Sequence, residues 1–372
     1  MTRFSRKFAV AGLALGAMLA VSLPALAGTS TSDALAEAAA ALQRVWQKRS
    51  DLQVFFGEDG KLRPAKHVGN LTSLEDWARA YGYREMPDDL AAFAPSVSAP
   101  TSPAALEATG APEPKYLKKT ALNWRLISAR AVYVIDDASH AVLLSRNSKV
   151  ERPLASLTKL MTARVALAGG LPMEMAASVS KADEVGGAYL RLRNGTPLTV
   201  RDLFYSMLVS SANDATNALV RSTGAAKGDF VAKMNAQAQA DGLTHTRFAD
   251  PTGIEEENVS TAEEVAALAL SAFDEYEIRK ATSTSYYHIA LAEGEHVIKN
   301  SNRVLTNNAN GITVLAGKTG YLGPATGWHL VTKVRDATHP DITVVVMGSA
   351  TQTKAAKDAE RIAKWVWKNY RW

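Results

Sequence analysis

Pro153-Leu154-Ala155-Ser156-Leu157-Thr158-Lys159-Leu160-Met161 sets a serine and a lysine three residues apart at the head of a segment that reads as helical through Leu167. Residues three apart on a helix share a face, so the Ser156 hydroxyl and the Lys159 amine come within reach of each other. A serine hydroxyl is a weak nucleophile until a base takes its proton. A lysine serves as that base when burial or a second cation lowers its pKa. The proline before the serine and the apolar run after the lysine put Ser156 at a helix N-terminus. Backbone N–H groups there favour a developing oxyanion.

Two further motifs follow in order, Ser211-Ala212-Asn213 and Lys318-Thr319-Gly320. Lys318 is the candidate second cation. Lys318 and Thr319 together offer a charge and a hydrogen bond to a carboxylate. Gly320, beside a strand, leaves room for a substrate backbone to pass. Each motif alone is weak, since about one or two S-x-x-K matches arise by chance in a chain of this size. A second such match, Ser178-Val179-Ser180-Lys181, and a second S-x-N, Ser145-Arg146-Asn147, do occur. Ser178 runs into Gly186-Gly187 rather than a helix. The ordered triple is what separates Ser156 from these.

The triple resembles the signature of penicillin-binding proteins and class A β-lactamases. Arg152-Pro153-Leu154-Ala155-Ser156-Leu157-Thr158-Lys159-Leu160-Met161-Thr162-Ala163 is similar to the nucleophile segment of low-molecular-mass D-alanyl-D-alanine peptidases. Asp250-Pro251-Thr252-Gly253-Ile254 with Asn258-Val259-Ser260-Thr261-Ala262 resembles a second block of that family. Gly317-Lys318-Thr319-Gly320-Tyr321 with Ala325-Thr326-Gly327 resembles a third. The likeness covers about residues 126–372 and is nearest the endopeptidase branch, the penicillin-binding protein 7 type.

The resemblance implies an acyl-enzyme on Ser156 with Lys159 as its base. Ser211 would relay a proton to the leaving amine, and Asn213 would position substrate or Lys159. Lys318 and Thr319 would bind the terminal carboxylate, and the backbone N–H groups of Ser156 and Tyr321 would form the oxyanion hole. Peptidoglycan is the implied partner and β-lactam antibiotics the implied covalent inhibitors. No metal or other cofactor is implied, and none of the seven histidines falls in an H-x-x-x-H spacing. His245 and His329 read as structural, and the Asp250 block as structural without chemistry.

Three rival readings stand beside the endopeptidase. A D-alanyl-D-alanine carboxypeptidase would share the same site. Carboxypeptidases of the family usually add a β-rich second domain and a C-terminal amphipathic anchor after the point where this sequence stops, which tilts the expectation toward endopeptidase. A β-lactamase needs a deacylating glutamate in an E-x-x-L-N loop; Glu255-Glu256-Glu257 lie in the right interval without that motif. A non-catalytic wall-binding scaffold would keep the fold and lose the chemistry.

Outward from the serine, residues 132–135 and 141–144 read as a hairpin. Residues 198–208, 215–220 and 261–271 read as helices, the last with a capping signal at Ser260-x-x-Glu263. Residues 312–315, 327–334 and 342–347 read as strands, and 354–370 as a closing amphipathic helix carrying Ile362, Trp365 and Trp367. The pattern predicts an α+β fold, an antiparallel sheet built from both chain ends and covered by helices. The resemblance implies the β-lactamase/DD-peptidase-like transpeptidase form of it.

The first 27 residues read as a signal peptide. Arg3, Arg6 and Lys7 precede an apolar run, and Ala25-Leu26-Ala27 fits the small-x-small cleavage rule. An uncleaved anchor helix is the alternative, although the run is short for a membrane span. Export predicts a periplasmic protein. Residues 28–125 read as an extension: a helix over 32–49, a short apolar stretch at 52–56 with a Gly57–Gly60 turn, a short helix around Trp77, and an Ala/Pro/Ser/Thr-rich linker over 91–114. The catalytic domain is expected over 126–372.

Composition narrows the classes further. Apolar residues make up 47% and charged residues 21% of the 372 residues, enough for a sizeable core. There is no cysteine, which rules out disulfides, thiolate metal sites and a lipoprotein anchor. The net charge of +5 falls to about +2 once the three signal cations are removed (5 minus 3), too little to argue for nucleic acid. Membrane contact, if any, would be peripheral. Nothing in the sequence bears on oligomeric state.

Overall fold

The computed structural model describes residues 109–307 and 311–372 in full, together with the backbone of two short strands, Val54–Phe56 and Leu62–Pro64. The expected helices over 32–49 and around Trp77, and most of the 91–114 linker, lie outside the described residues. The chain divides into two units, Met1–Val97 and Ser98–Trp372. In the first, the two short strands pair antiparallel, and the expected Gly57–Gly60 turn lies outside the described residues.

The second unit begins its main sheet with β1 (Ala131–Asp136) and β2 (Val142–Arg146). Helices α1 (Lys159–Ala168), α2 (Val200–Val209), α3 (Asn213–Ser222), α4 (Lys227–Ala240), α5 (Ala262–Asp274) and α6 (Tyr276–Ser283) follow. A hairpin of β3 (Tyr286–Leu291) and β4 (Gly294–Lys299) leads back to the sheet. Then come β5 (Thr313–Tyr321), β6 (Trp328–Arg335), β7 (Ile342–Ser349) and α7 (Gln352–Asn369).

The main sheet has five strands in the order β5-β6-β7-β1-β2, antiparallel throughout. It joins both ends of the unit, and the expected α+β architecture holds. All of β1 and β7 are buried because helices cover both faces. On one face Ala131, Tyr133, Ile135, Val345 and Met347 merge with the apolar sides of α1–α6. On the other, Val132, Val134, Val344 and Val346 pack against Ile362, Val366 and Trp367 of α7. Alternation along a pleated strand sends neighbouring side chains to these two separate cores.

Residues 115–125, read from sequence as extension, hydrogen-bond to the end of α7. Lys115–Tyr116 pairs antiparallel with Tyr370–Arg371, and Trp365 donates its indole N–H to Thr120 O at 2.9 Å. Two boundaries differ from expectation near the site. The 153–167 helix opens as a 3-10 turn over Ala155–Thr158, with α1 starting at Lys159. The strand expected at 312–315 runs on to Tyr321, so Lys318-Thr319-Gly320 sits inside β5, the edge strand, and not in a turn beside it.

Candidate active site

Three chain segments far apart in sequence meet at the edge strand β5. The 3-10 turn before α1 brings Ser156 and Lys159, the start of α3 brings Ser211 and Asn213, and β5 brings Lys318 and Thr319. Lys159 is fully buried, and its Nζ lies 2.8 Å from Ser156 Oγ, 2.7 Å from Asn213 Oδ1 and 2.5 Å from Thr252 O. Burial pushes the Lys159 ammonium down to about 7, and the Asp250 carboxylate resists that fall. A neutral amine has two N–H donors and one lone pair. Thr252 O can only accept, and so can Asn213 Oδ1, whose amide is oriented by donating from Nδ2 to Gly186 O at 2.8 Å. These two acceptors use both donors of neutral Lys159. The lone pair is left facing the Ser156 hydroxyl, the arrangement a general base requires.

Lys318 is equally buried, and its Nζ donates to Ser211 Oγ at 2.8 Å and to Thr319 O at 2.9 Å. Burial, and then the neighbouring Lys159 cation, hold its pKa well below the ordinary lysine range. Two ammonium groups sharing one dry site disfavour each other, so the Lys159 charge eases deprotonation of Lys318. Ser211 takes a left-handed backbone (φ +66°) to present its hydroxyl, and Ala155 does the same before Ser156 (φ +50°). Non-glycine residues hold such angles only where their surroundings enforce them.

Thr319 Oγ1 lies 2.6 Å from Ser301 Oγ. Gly320 presses against the serine turn: a Cβ there would fall 2.9 Å from Leu154 O and 3.3 Å from Ser156 N. Beside the room it is expected to leave for a substrate, this glycine lets the backbone that carries the serine lie close against β5. The same contact sets the Ser156 N–H close to the Gly320 backbone. The Tyr321 ring turns outward, 42% exposed, and stacks on Trp328 at 4.6 Å between centroids.

Several residues at the site carry no chemistry in the sequence reading. Asp250 accepts from Thr252 N (2.9 Å), Gly253 N (3.0 Å) and Asn258 Nδ2 (2.5 Å), and from the Thr252 hydroxyl. Burial alone would raise its pKa, but these bonds outweigh it and hold the carboxyl below the usual range. They shape a turn whose Thr252 carbonyl accepts a hydrogen bond from Lys159 Nζ and whose Pro251 carbonyl accepts one from the Thr162 hydroxyl at 2.6 Å. The block read as merely structural thus touches Lys159. Gly186-Gly187, read only as a helix breaker, clasps Asn213. The one signal in the sequence is the likeness of the Asp250 block to a second block of the family, which carries no contact information.

The residues set aside are placed elsewhere. Lys181 is exposed and pairs with Glu184 at 2.6 Å. Asn147 donates to Arg130 O on the surface. His245 is exposed against Glu151 at 3.2 Å. His329 is fully buried; burial drives its pKa down to about 4, and its ring links Gly348 N to Pro153 O, each at 2.9 Å. Since the Gly348 N–H can only donate, Nδ1 accepts and Nε2–H donates, a structural tie between β6 and the segment leading to Ser156.

Residues 118–351 match the peptidase S11 family, described as D-alanyl-D-alanine carboxypeptidase. A D-alanyl-D-alanine endopeptidase of Pseudomonas aeruginosa is 31% identical over 249 residues, 66% of this chain and 79% of that one. One of Escherichia coli is 29% identical, covering 64% of this chain and 77% of that one. The crystal structure of the Streptomyces K15 DD-transpeptidase superposes with a TM-score of 0.59 and 26% identity, over 65% of this chain and 98% of that one. The family match spans well over half of the sequence, and the chain belongs to the peptidase S11 family of serine D-alanyl-D-alanine peptidases.

Proposed function

We propose that this protein is a penicillin-binding D-alanyl-D-alanine endopeptidase that cuts peptidoglycan cross-links through an acyl-enzyme on Ser156. The observation that carries the chemistry is a fully buried Lys159, near pKa 7, 2.8 Å from Ser156 Oγ. Lys159 takes the hydroxyl proton as Oγ attacks the D-alanyl carbonyl. The oxyanion settles on the N–H groups of Ser156 and Tyr321. Ser211, bonded to Lys318, passes a proton to the leaving amine. Asn213 holds Lys159 in place, and Lys318 with Thr319 receives the substrate carboxylate. Water then releases the acyl group by the reverse proton path.

Three relatives that carry the endopeptidase name, from Pseudomonas aeruginosa, Haemophilus influenzae and Escherichia coli, support the choice of cross-links as substrate. The carboxypeptidase reading has its own support in a relative from Bacillus subtilis, 30% identical. The amino-terminal pattern supports export, with residues 1–27 removed as a signal peptide, residues 28–125 as an extension and a periplasmic site of action. Digestion of purified cross-linked peptidoglycan, resolved by mass, separates the two activities. Loss of D-alanyl cross-linked dimers, blocked by penicillin, is expected. Release of terminal D-alanine alone would make the enzyme a carboxypeptidase.

A further inference from the structure

Helix α7 carries a line of cations on its outer side. Lys354, Lys357, Arg361, Lys364 and Lys368, then Arg371 just beyond it, recur every three or four residues, and all six are exposed. Three-four spacing keeps them on one face, and 18 helical residues span about 27 Å. The two acids of the helix are withdrawn from that face. Asp358 is buried and Glu360 half-buried.

The segment beside the helix extends the field. Lys115, Lys118, Lys119 and Arg125 are all exposed, and the pairing of Lys115 with Arg371 and the bond from Arg361 to Leu126 O (2.9 Å) hold this segment against α7. None of these ten cations forms an ion pair with a described residue. They exceed the net charge of the chain, so the remainder is net −5 (5 minus 10). Among them stand two large apolar side chains, Tyr116 at 41% and Leu126 at 54% exposure.

We propose that this face, the cationic line of α7 with the 115–126 segment, docks the protein on an anionic phospholipid surface. A polyanion in water would be met by the cations alone. Exposed Leu126 and Tyr116 within the basic field suit an interface where headgroup charge lies above acyl chain. Among the described residues no helix is long and apolar enough to cross a membrane, so the contact is peripheral. α7 covers the face of the main sheet opposite α1–α6, so docking there leaves the serine site unobstructed. The inference needs export to meet a membrane in the cell but does not depend on which bond Ser156 cuts.

The test is co-sedimentation of the chain from Gly28 with vesicles of phosphatidylcholine alone or with about one-third phosphatidylglycerol. The comparison protein carries K357Q, R361Q, K364Q and K368Q, none of them near the serine. Each cation at such a surface adds about fivefold to the partition at low salt. The native chain is expected to bind the anionic vesicles, to leave them as salt rises, and to ignore the neutral ones. The variant should lose at least tenfold while labelling with penicillin at the native rate, which shows that it is folded and that its active site is intact. Equal partition of the two proteins would overturn the proposal, as would binding that salt does not weaken. Charge-dependent binding to purified peptidoglycan sacculi, with none to anionic vesicles, would also overturn it and assign the face to the wall polymer.

Discussion

At the scale of the residue, the site turns on where one proton sits. In the proposed mechanism Lys159 is neutral when it receives the Ser156 proton, and its pKa falls to about 7 through burial. The acylation rate therefore rises with pH and levels off above the Lys159 pKa. The acid limb is expected near pH 7 when acylation by a chromogenic cephalosporin is followed by stopped flow. Asp250 bears on the same limb, because its negative charge favours the ammonium form of Lys159. Asp250→Asn removes that charge, so the limb should move to lower pH. The loosened Thr252 turn should also lower the plateau by roughly tenfold, the worth of about one buried hydrogen bond. A substitution that lowers the plateau without moving the limb would show Asp250 to be structural only.

At the scale of the element, close backbone approach decides which glycines matter. Gly253 has φ +81°, and a Cβ there would fall 1.9 Å from Ala155 O. The Asp250 turn thus lies hard against the turn that carries Ser156. Gly253→Ala should cost about 2 kcal/mol or more by displacing one turn or the other. Acylation should fall by at least about a hundredfold, given how steeply rate depends on placement. Thermal unfolding and penicillin labelling together check this, and a variant with native labelling would contradict the packing described.

The same elements show what the sequence could and could not reveal. The strands of the main sheet were legible because β-branched runs such as residues 342–347 are buried on both faces. The carboxyl end of β5 was not, since glycines and Lys318 interrupt its β pattern, and only burial between neighbours extends it to Tyr321. Helix α4 escaped notice because only Phe230, Met234 and Ala238 are buried along its 14 residues. The β3–β4 hairpin escaped because Ile289 and Ile298 are its only buried apolar side chains. Ser156, Lys159, Ser211, Asn213, Lys318 and Thr319 were found by motif, and the structure brings them together. The roles of Thr252 and Ser301 are contacts made across the fold, which no spacing in the chain encodes.

At the scale of the whole molecule, the sheet is a partition between two cores, and α7 must be pinned to its far side. Buried Asp358 is one of the pins. Its Oδ2 accepts from Ser128 N (3.0 Å), Ser128 Oγ (2.7 Å), Ala129 N (3.0 Å) and Ser349 Oγ (2.9 Å). Asp358→Ala strands these donors in a dry environment and should cost about 2–4 kcal/mol. Denaturant unfolding should show that loss, while penicillin labelling at low temperature should stay close to native. Separation of the two readouts follows from the architecture, because the serine site lies on the other side of the sheet.

The most direct test of the central claim is the intact mass of the protein after exposure to benzylpenicillin, followed by peptide mapping. A single adduct on the peptide containing Ser156, absent from a folded Ser156→Ala protein and formed far more slowly by Lys159→Met, is the expected result. An adduct on any other residue, or one that survives Ser156→Ala, would contradict the assignment of Ser156 as the nucleophile.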